Sequence, residues 1–126
     1  MKKRIYLTYT KTNRVTGEIY SGRASGTDDP KKILTKRDSS HHINKDSYGK
    51  AILDEVSTNK YAIRGREQML IDSFGGAQSE GGTSGNKINS ISYRNKKREK
   101  YMKAAMKFFG VLSIISALSL FIWYII

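Results

Sequence analysis

Three ionisable side chains in this 126-residue chain lie where apolar ones are expected. After Asp28-Asp29-Pro30, Ile33, Leu34, Arg37 and His41 follow at steps of one, three and four. Arg37 and His41 therefore extend an apolar helical stripe instead of opposing it. Further on, Ile63, Leu70, Ile71 and Phe74 form a second stripe, and Glu67 stands four residues after Ile63 and four before Ile71. A carboxylate in that position faces a core or a cleft. Burying it alone costs several kcal/mol, so it calls for a cation, hydrogen-bond donors or a metal ion. A purely structural ion pair with Arg37 or Arg23 meets the same need. Other chemistry is excluded: without cysteine there is no disulfide, no thiolate zinc site and no cysteine nucleophile. His41-His42 is a poor metal pair, because neighbours on a helix point about 100° apart.

The elements that carry these residues can be read from pattern. Residues 5–10 (IYLTYT) alternate large apolar with small polar side chains and are rich in β-formers. Residues 12–17 are turn material and 18–22 read as a second strand, which makes a hairpin of residues 5–22. Asp29 can cap a helix whose first position suits Pro30, and about a dozen residues then run toward His41. Residues 50–56 form a short, weak element and hold the candidates for a third strand. Residues 61–74 have a strong helical pattern closed by Gly75-Gly76. A glycine- and serine-rich loop occupies 75–86, and Ile88 and Ile91 are candidates to start one more short helix. The expected architecture is a small α/β (α+β) domain: a three-stranded antiparallel sheet flanked by helices.

The last nineteen residues, 108–126, carry no charge. As a helix they reach about 28 Å, close to the hydrocarbon thickness of a bilayer. Seven basic residues and one acid in 94–107 precede them. The sequence thus divides into a domain at 1–93, a basic juxtamembrane linker at 94–107 and a transmembrane helix at 108–126. The basic flank predicts a single-pass membrane protein whose N-terminal domain faces the cytoplasm. Of the net charge of +12, half belongs to residues 94–126 and half to the body. A body that basic fits phosphate binding.

Tyr9 and Tyr20, on the two hairpin strands, have ten residues between them, and the second strand reads Tyr20-Ser-Gly22-Arg23. This resembles the GIY-YIG nuclease family, whose two signature tripeptides sit on neighbouring strands at about this separation. The resemblance continues in order through Arg37-Asp-Ser-Ser-His41, through Glu67 in Arg64-Gly-Arg-Glu-Gln-Met-Leu-Ile71, and through Asn86 or Asn89 in Gly85-Asn-Lys-Ile-Asn-Ser90. It spans residues 4–92. Segments 20–26, 62–68 and 75–86 also resemble GIY-YIG-type domains at the C-termini of bacterial polymorphic toxins. The tripeptides depart from the family pattern: Leu7-Thr8-Tyr9 replaces Gly-Ile-Tyr, and Tyr-Ser-Gly replaces Tyr-Ile-Gly. Tyr6, in Arg4-Ile5-Tyr6, is closer to the first tripeptide by letter but further from Tyr20, and is the alternate to Tyr9.

The resemblance implies hydrolysis of phosphodiester bonds in nucleic acid, DNA favoured over RNA. Glu67 would hold one divalent cation, Mg²⁺ or Mn²⁺. Arg37 would donate to the scissile phosphate. Tyr9, Tyr20 and His41 would handle protons. Asn86 would orient a phosphate or a side chain, with Arg23 and Asn89 as substrate-binding candidates. A toxin-type module implies an immunity protein as partner. The competing expectation is a non-catalytic membrane protein on the same scaffold that binds nucleic acid or anionic lipid. Singly, each residue also has an ordinary explanation: cross-strand packing for the tyrosines, a helix-end partner for His41, caps for the asparagines.

Overall fold

A computed structural model of the chain describes residues 2–110. Strand β1 spans Ile5–Thr12 and β2 spans Ile19–Gly26; helix α1 spans Pro30–Ser39, β3 spans Ile52–Ser57, α2 spans Lys60–Ser73 and α3 spans Arg98–Ala105. The sheet is antiparallel with β1 in the centre, in the order β2-β1-β3. This is the small α+β architecture expected from the patterning, with residues 52–57 as the third strand.

Alternation along β1 divides the molecule. Leu7 and Tyr9 point to one face and pack with Ile33 of α1. Tyr6 belongs to the other face and packs with Ala62, Ile63, Ala105 and Phe109. The helix starts obey capping chemistry: Asp29 accepts from the Lys32 N–H with Pro30 in the first turn, and Asn59 accepts from the N–H groups of Tyr61 and Ala62. Lys11, on the α1 face of β1, is buried and ion-pairs with Asp38, which also accepts from the Ala51 N–H. The C-terminal end of α1 is thereby tied to the central strand.

Two local expectations are corrected. Residues 88–91 form no helix; Gln68 of α2 reaches over instead, donating to Asn89 and accepting from the Ile91 N–H, which buries Ile91 and leaves Ile88 exposed. The basic segment that follows is not free of the body. Tyr101 and Ala105 of α3, and Phe109 in the π-helical turn Met106–Gly110, are buried, with Ala105 and Phe109 in the cluster on α2. The described body therefore continues to Gly110. Among the described residues no helix is long and apolar enough to cross a membrane. The membrane helix expected at 108–126 lies, from residue 111 onward, outside the described residues.

Docking of α3 depends on Gly65. A β-carbon there would overlap the Tyr101 carbonyl oxygen and approach the Ala105 β-carbon to 2.8 Å. Arg64 fastens the same contact by donating to the Tyr101 hydroxyl (3.2 Å) and the Ser90 carbonyl (3.0 Å). Gly65→Val is expected to lower stability by about 3 kcal/mol, because neither helix backbone can yield without separating. The urea midpoint of the full chain measures this; an unchanged midpoint would mean that α3 is not held there.

Candidate active site

Register places the first tyrosine. Tyr9 of β1 lies opposite Gly22 of β2, and Lys11 lies opposite Tyr20. Because Gly22 has no side chain, the Tyr9 ring lies across β2: a β-carbon at Gly22 would stand 2.5 Å from the ring's Cζ and Oη. Tyr20 is two residues from Gly22 and so shares its face, with ring centroids 6.5 Å from Tyr9. The glycine ending the second tripeptide is thus a steric requirement of the tyrosine in the first.

Two further elements converge on the Tyr9 hydroxyl. From the last turn of α1, Arg37 Nε donates to Tyr9 Oη at 3.3 Å. His41, just past the helix, caps the 3₁₀ turn His42–Asp46: its Nδ1 accepts from the Ile43 N–H at 3.4 Å, and its Nε2 lies 2.8 Å from Tyr9 Oη. With Nδ1 as acceptor, the proton of a neutral ring belongs on Nε2, so His41 donates to Tyr9. Tyr9 Oη then receives two donors, and its own hydrogen is directed away from both. Edge-on contacts of His41 with Tyr9 (5.8 Å) and Tyr20 (5.1 Å) fix the ring plane.

Electrostatics set the resting protonation. Burial first, then the positive charges of Arg37, His42 and Lys11, push His41 down to about 4, so its imidazole is neutral at pH 7. Burial raises Tyr9 against the opposing pull of Arg37. Burial, with Tyr9 and Glu67 nearby, pushes Tyr20 up to about 12. Arg37 is raised chiefly by its bond to Tyr9 and stays charged.

An acid transition follows. His41 has an ordinary value of 6.5. Between pH 6.5 and about 4 the unfolded chain binds a proton at His41 that the native chain refuses, so stability falls as pH falls. The loss reaches about 3 kcal/mol below the native value. Glu67 is raised and acts in the opposite direction; it is common to wild type and His41→Gln, so their difference isolates His41. Wild type should lose stability more steeply than His41→Gln from pH 6.5 to 4.5 in urea titrations. Parallel curves would overturn the assignment.

Glu67 is 8% exposed on α2, and Arg23 Nε of β2 approaches it at 3.5 Å. Burial raises its pKa; Ser90, Arg23, Arg64 and Arg37 oppose the shift. Ser90 Oγ is itself buried and reaches hydrogen-bond geometry with no partner. A buried carboxylate whose geometric ion pair is a single long one is a group that a hard cation would stabilise. No cluster of three or more His, Cys, Asp or Glu occurs among the described residues. A cation at Glu67 would therefore take one protein carboxylate, with water and phosphate oxygens completing its shell, a donor set that suits Mg²⁺.

The remaining candidates are placed differently. Asn86 is buried at the outer edge of β2, where it accepts from the Ser21 N–H and donates to the Ser21 carbonyl, both at 2.8 Å. It holds the Tyr20-Ser-Gly22 backbone in place. Asn89 is occupied by Gln68. Tyr6 lies on the opposite sheet face from Tyr9 and away from His41 and Arg37. The structure thus brings together Tyr9, Tyr20, Arg37 and His41. Glu67 and Arg23 pair nearby, and Asn86 supports them. Sequence reasoning had Gly22 only as part of the second tripeptide, without its steric role under the Tyr9 ring, and missed the Lys11–Asp38 pair. The signal for the second was present: Lys11 continues the inward series Leu7, Tyr9, and Asp38 adjoins Arg37.

No family model, curated protein or solved structure matches the chain.

Proposed function

We propose that this chain is a metal-dependent endonuclease of GIY-YIG type. The observation that carries the reading is the convergence of Arg37 and His41, from separate positions on and beyond α1, on the hydroxyl of a strand tyrosine. Tyr9 Oη first releases its own proton to solvent, and the two donors stabilise the phenolate. The phenolate positions the attacking water, takes one proton from it as the water oxygen bonds to phosphorus, and returns to the neutral phenol. Arg37 has further N–H groups for a non-bridging phosphate oxygen. Tyr20 stays protonated and donates a hydrogen bond. Glu67 holds the cation, Mg²⁺ or Mn²⁺, which supplies charge neutralisation at the phosphate and leaving oxygen. DNA is the favoured substrate. The uncharged C-terminal segment would hold the enzyme at a membrane with the domain on the cytoplasmic side, and a toxin role with an immunity partner belongs to the same reading.

The test is incubation of the full chain in detergent with plasmid DNA and with total RNA, in Mg²⁺ or Mn²⁺ and in excess chelator. Metal-dependent cleavage is expected, abolished by chelator. Intact nucleic acid, with the protein folded and bound to it, would assign the chain to binding instead.

A further inference from the structure

Between the end of β2 and α1 opens a cleft of about 770 Å³. Five cations line it, Arg4, Arg23, Lys32, Lys36 and Arg37, against one acid, Asp28. Arg23 and Arg37 belong to both places: each has its Nε on a candidate catalytic residue, Glu67 or Tyr9, while its side chain borders the cleft. The other charges are available. Lys32 stands 4.0 Å from Asp28 and from Asp29, at the limit of an ion pair, and its side chain is 71% exposed. Lys36 has no acidic partner among the described residues.

We propose that this cleft is the track for one phosphodiester strand of a duplex, leading into the site from the α1 side. The inference rests on the nuclease reading. Lys32 and Lys36 are one helical turn apart, about 6 Å along the axis, and Arg37 follows. Phosphates of one strand advance about 3.4 Å each along a duplex. The α1 row therefore matches a run of two or three phosphates, whereas five cations spread along a cleft exceed what a single small anion needs. No aromatic side chain lines the cleft. It has no stacking platform for unpaired bases, and its contacts are with the backbone, the pattern of duplex rather than single-strand binding.

The experiment uses the full chain carrying Glu67→Gln, so that the probe survives. A fluorescent 20-bp DNA duplex, or one of its strands, is titrated at several salt concentrations. Lys32→Ala/Lys36→Ala should weaken duplex binding at least tenfold at 100 mM salt. It should also flatten the slope of log K against log salt by about 1.8, the loss of two phosphate contacts. Lys96→Ala/Lys97→Ala, an equal charge change on exposed residues outside the cleft, should leave the slope unaltered. The duplex should bind more tightly than the single strand. Equal slope losses in the two pairs, absence of binding, or tighter single-strand binding would overturn the proposal. If the chain with Glu67 intact cuts nothing while the cleft pair still flattens the slope, the nuclease reading fails and the docking surface stands.

Discussion

Glu67→Gln is expected to lower metal-dependent cleavage at least a thousandfold while leaving the fold intact. Gln has nearly the same volume, so packing around α2 is preserved. What would be lost is the carboxylate charge proposed to hold the cation, worth about 4 kcal/mol of barrier if the rate falls by three decades. Stability should not fall with activity. The native pKa of Glu67 is raised, chiefly by burial. Its carboxylate is therefore penalised in the native state at any pH above that value, and the neutral amide removes the penalty. Arg23 forfeits only a 3.5 Å contact, and its side chain is 46% exposed, so water replaces the partner at little cost. Plasmid nicking and thermal midpoints at pH 8 together read the result. Loss of cleavage with an unchanged or higher midpoint supports a metal-holding role. Undiminished cleavage by Glu67→Gln would remove the metal ligand from the mechanism, and a large fall in the midpoint would return Glu67 to a structural ion pair.

The residues that make the site were legible because each breaks a rule its own element otherwise obeys. In the sequence Arg37 and His41 extend an apolar stripe, as does Glu67; in the structure α1 ends at Ser39, so Arg37 is exposed on its last turn and His41 lies past it, and His41 and Glu67 are buried. The hairpin and the Asp29–Pro30 helix start follow from local chemistry: alternation, a cap, a fixed φ. The third strand, whose residues Ile52–Ser57 show no clean alternation of burial, was the least visible element. What escaped was long-range pairing of polar groups. Lys11 reads as a solvated strand end until Asp38, 27 residues away, is known to meet it. Gln68 reads as helix surface until it proves to hold both Asn89 and Ile91, an arrangement that accompanies the irregular, non-helical backbone of residues 88–91. The basic linker reads as helical over 95–107 and the structure has a helix at Arg98–Ala105; what its lysines and arginines obscured is that this helix packs on the body. Yet Tyr101, Ala105 and Phe109, each four residues after the last, are an apolar face, and all three are buried. Net charge described the solvent side of that helix and hid its other side. Truncation at residue 93 would therefore uncover Ala62, Ile63 and the Gly65 contact, so the full chain is the unit in which activity must be measured.

Tyr9→Phe should reduce cleavage by a hundredfold or more, and Tyr6→Phe by less than twofold. Letter-by-letter likeness favours Tyr6 as the first signature tyrosine and spacing favours Tyr9; the sheet separates them. One strand position further along turns a side chain to the other face, and three positions do the same. Tyr6 therefore packs among Ala62, Ile63 and Phe109, while the Tyr9 hydroxyl collects Arg37 and His41. Removing the Tyr9 oxygen strands two donors. Arg37 is exposed and finds water, but His41 is 4% exposed and its Nε2–H keeps no partner, which should lower stability by about 1–2 kcal/mol. Steady-state kinetics separate the two roles. If Tyr9 handles the proton, kcat falls and KM for the duplex holds, because the phosphate contacts proposed for Arg23, Arg37 and the α1 lysines would remain. If Tyr9 only braces the sheet, Tyr9→Phe should keep most of its activity once refolded at a temperature well below its midpoint. Equal losses in Tyr6→Phe and Tyr9→Phe would break the link between the Arg37–His41 convergence and the chemistry, and with it the observation on which the nuclease assignment stands.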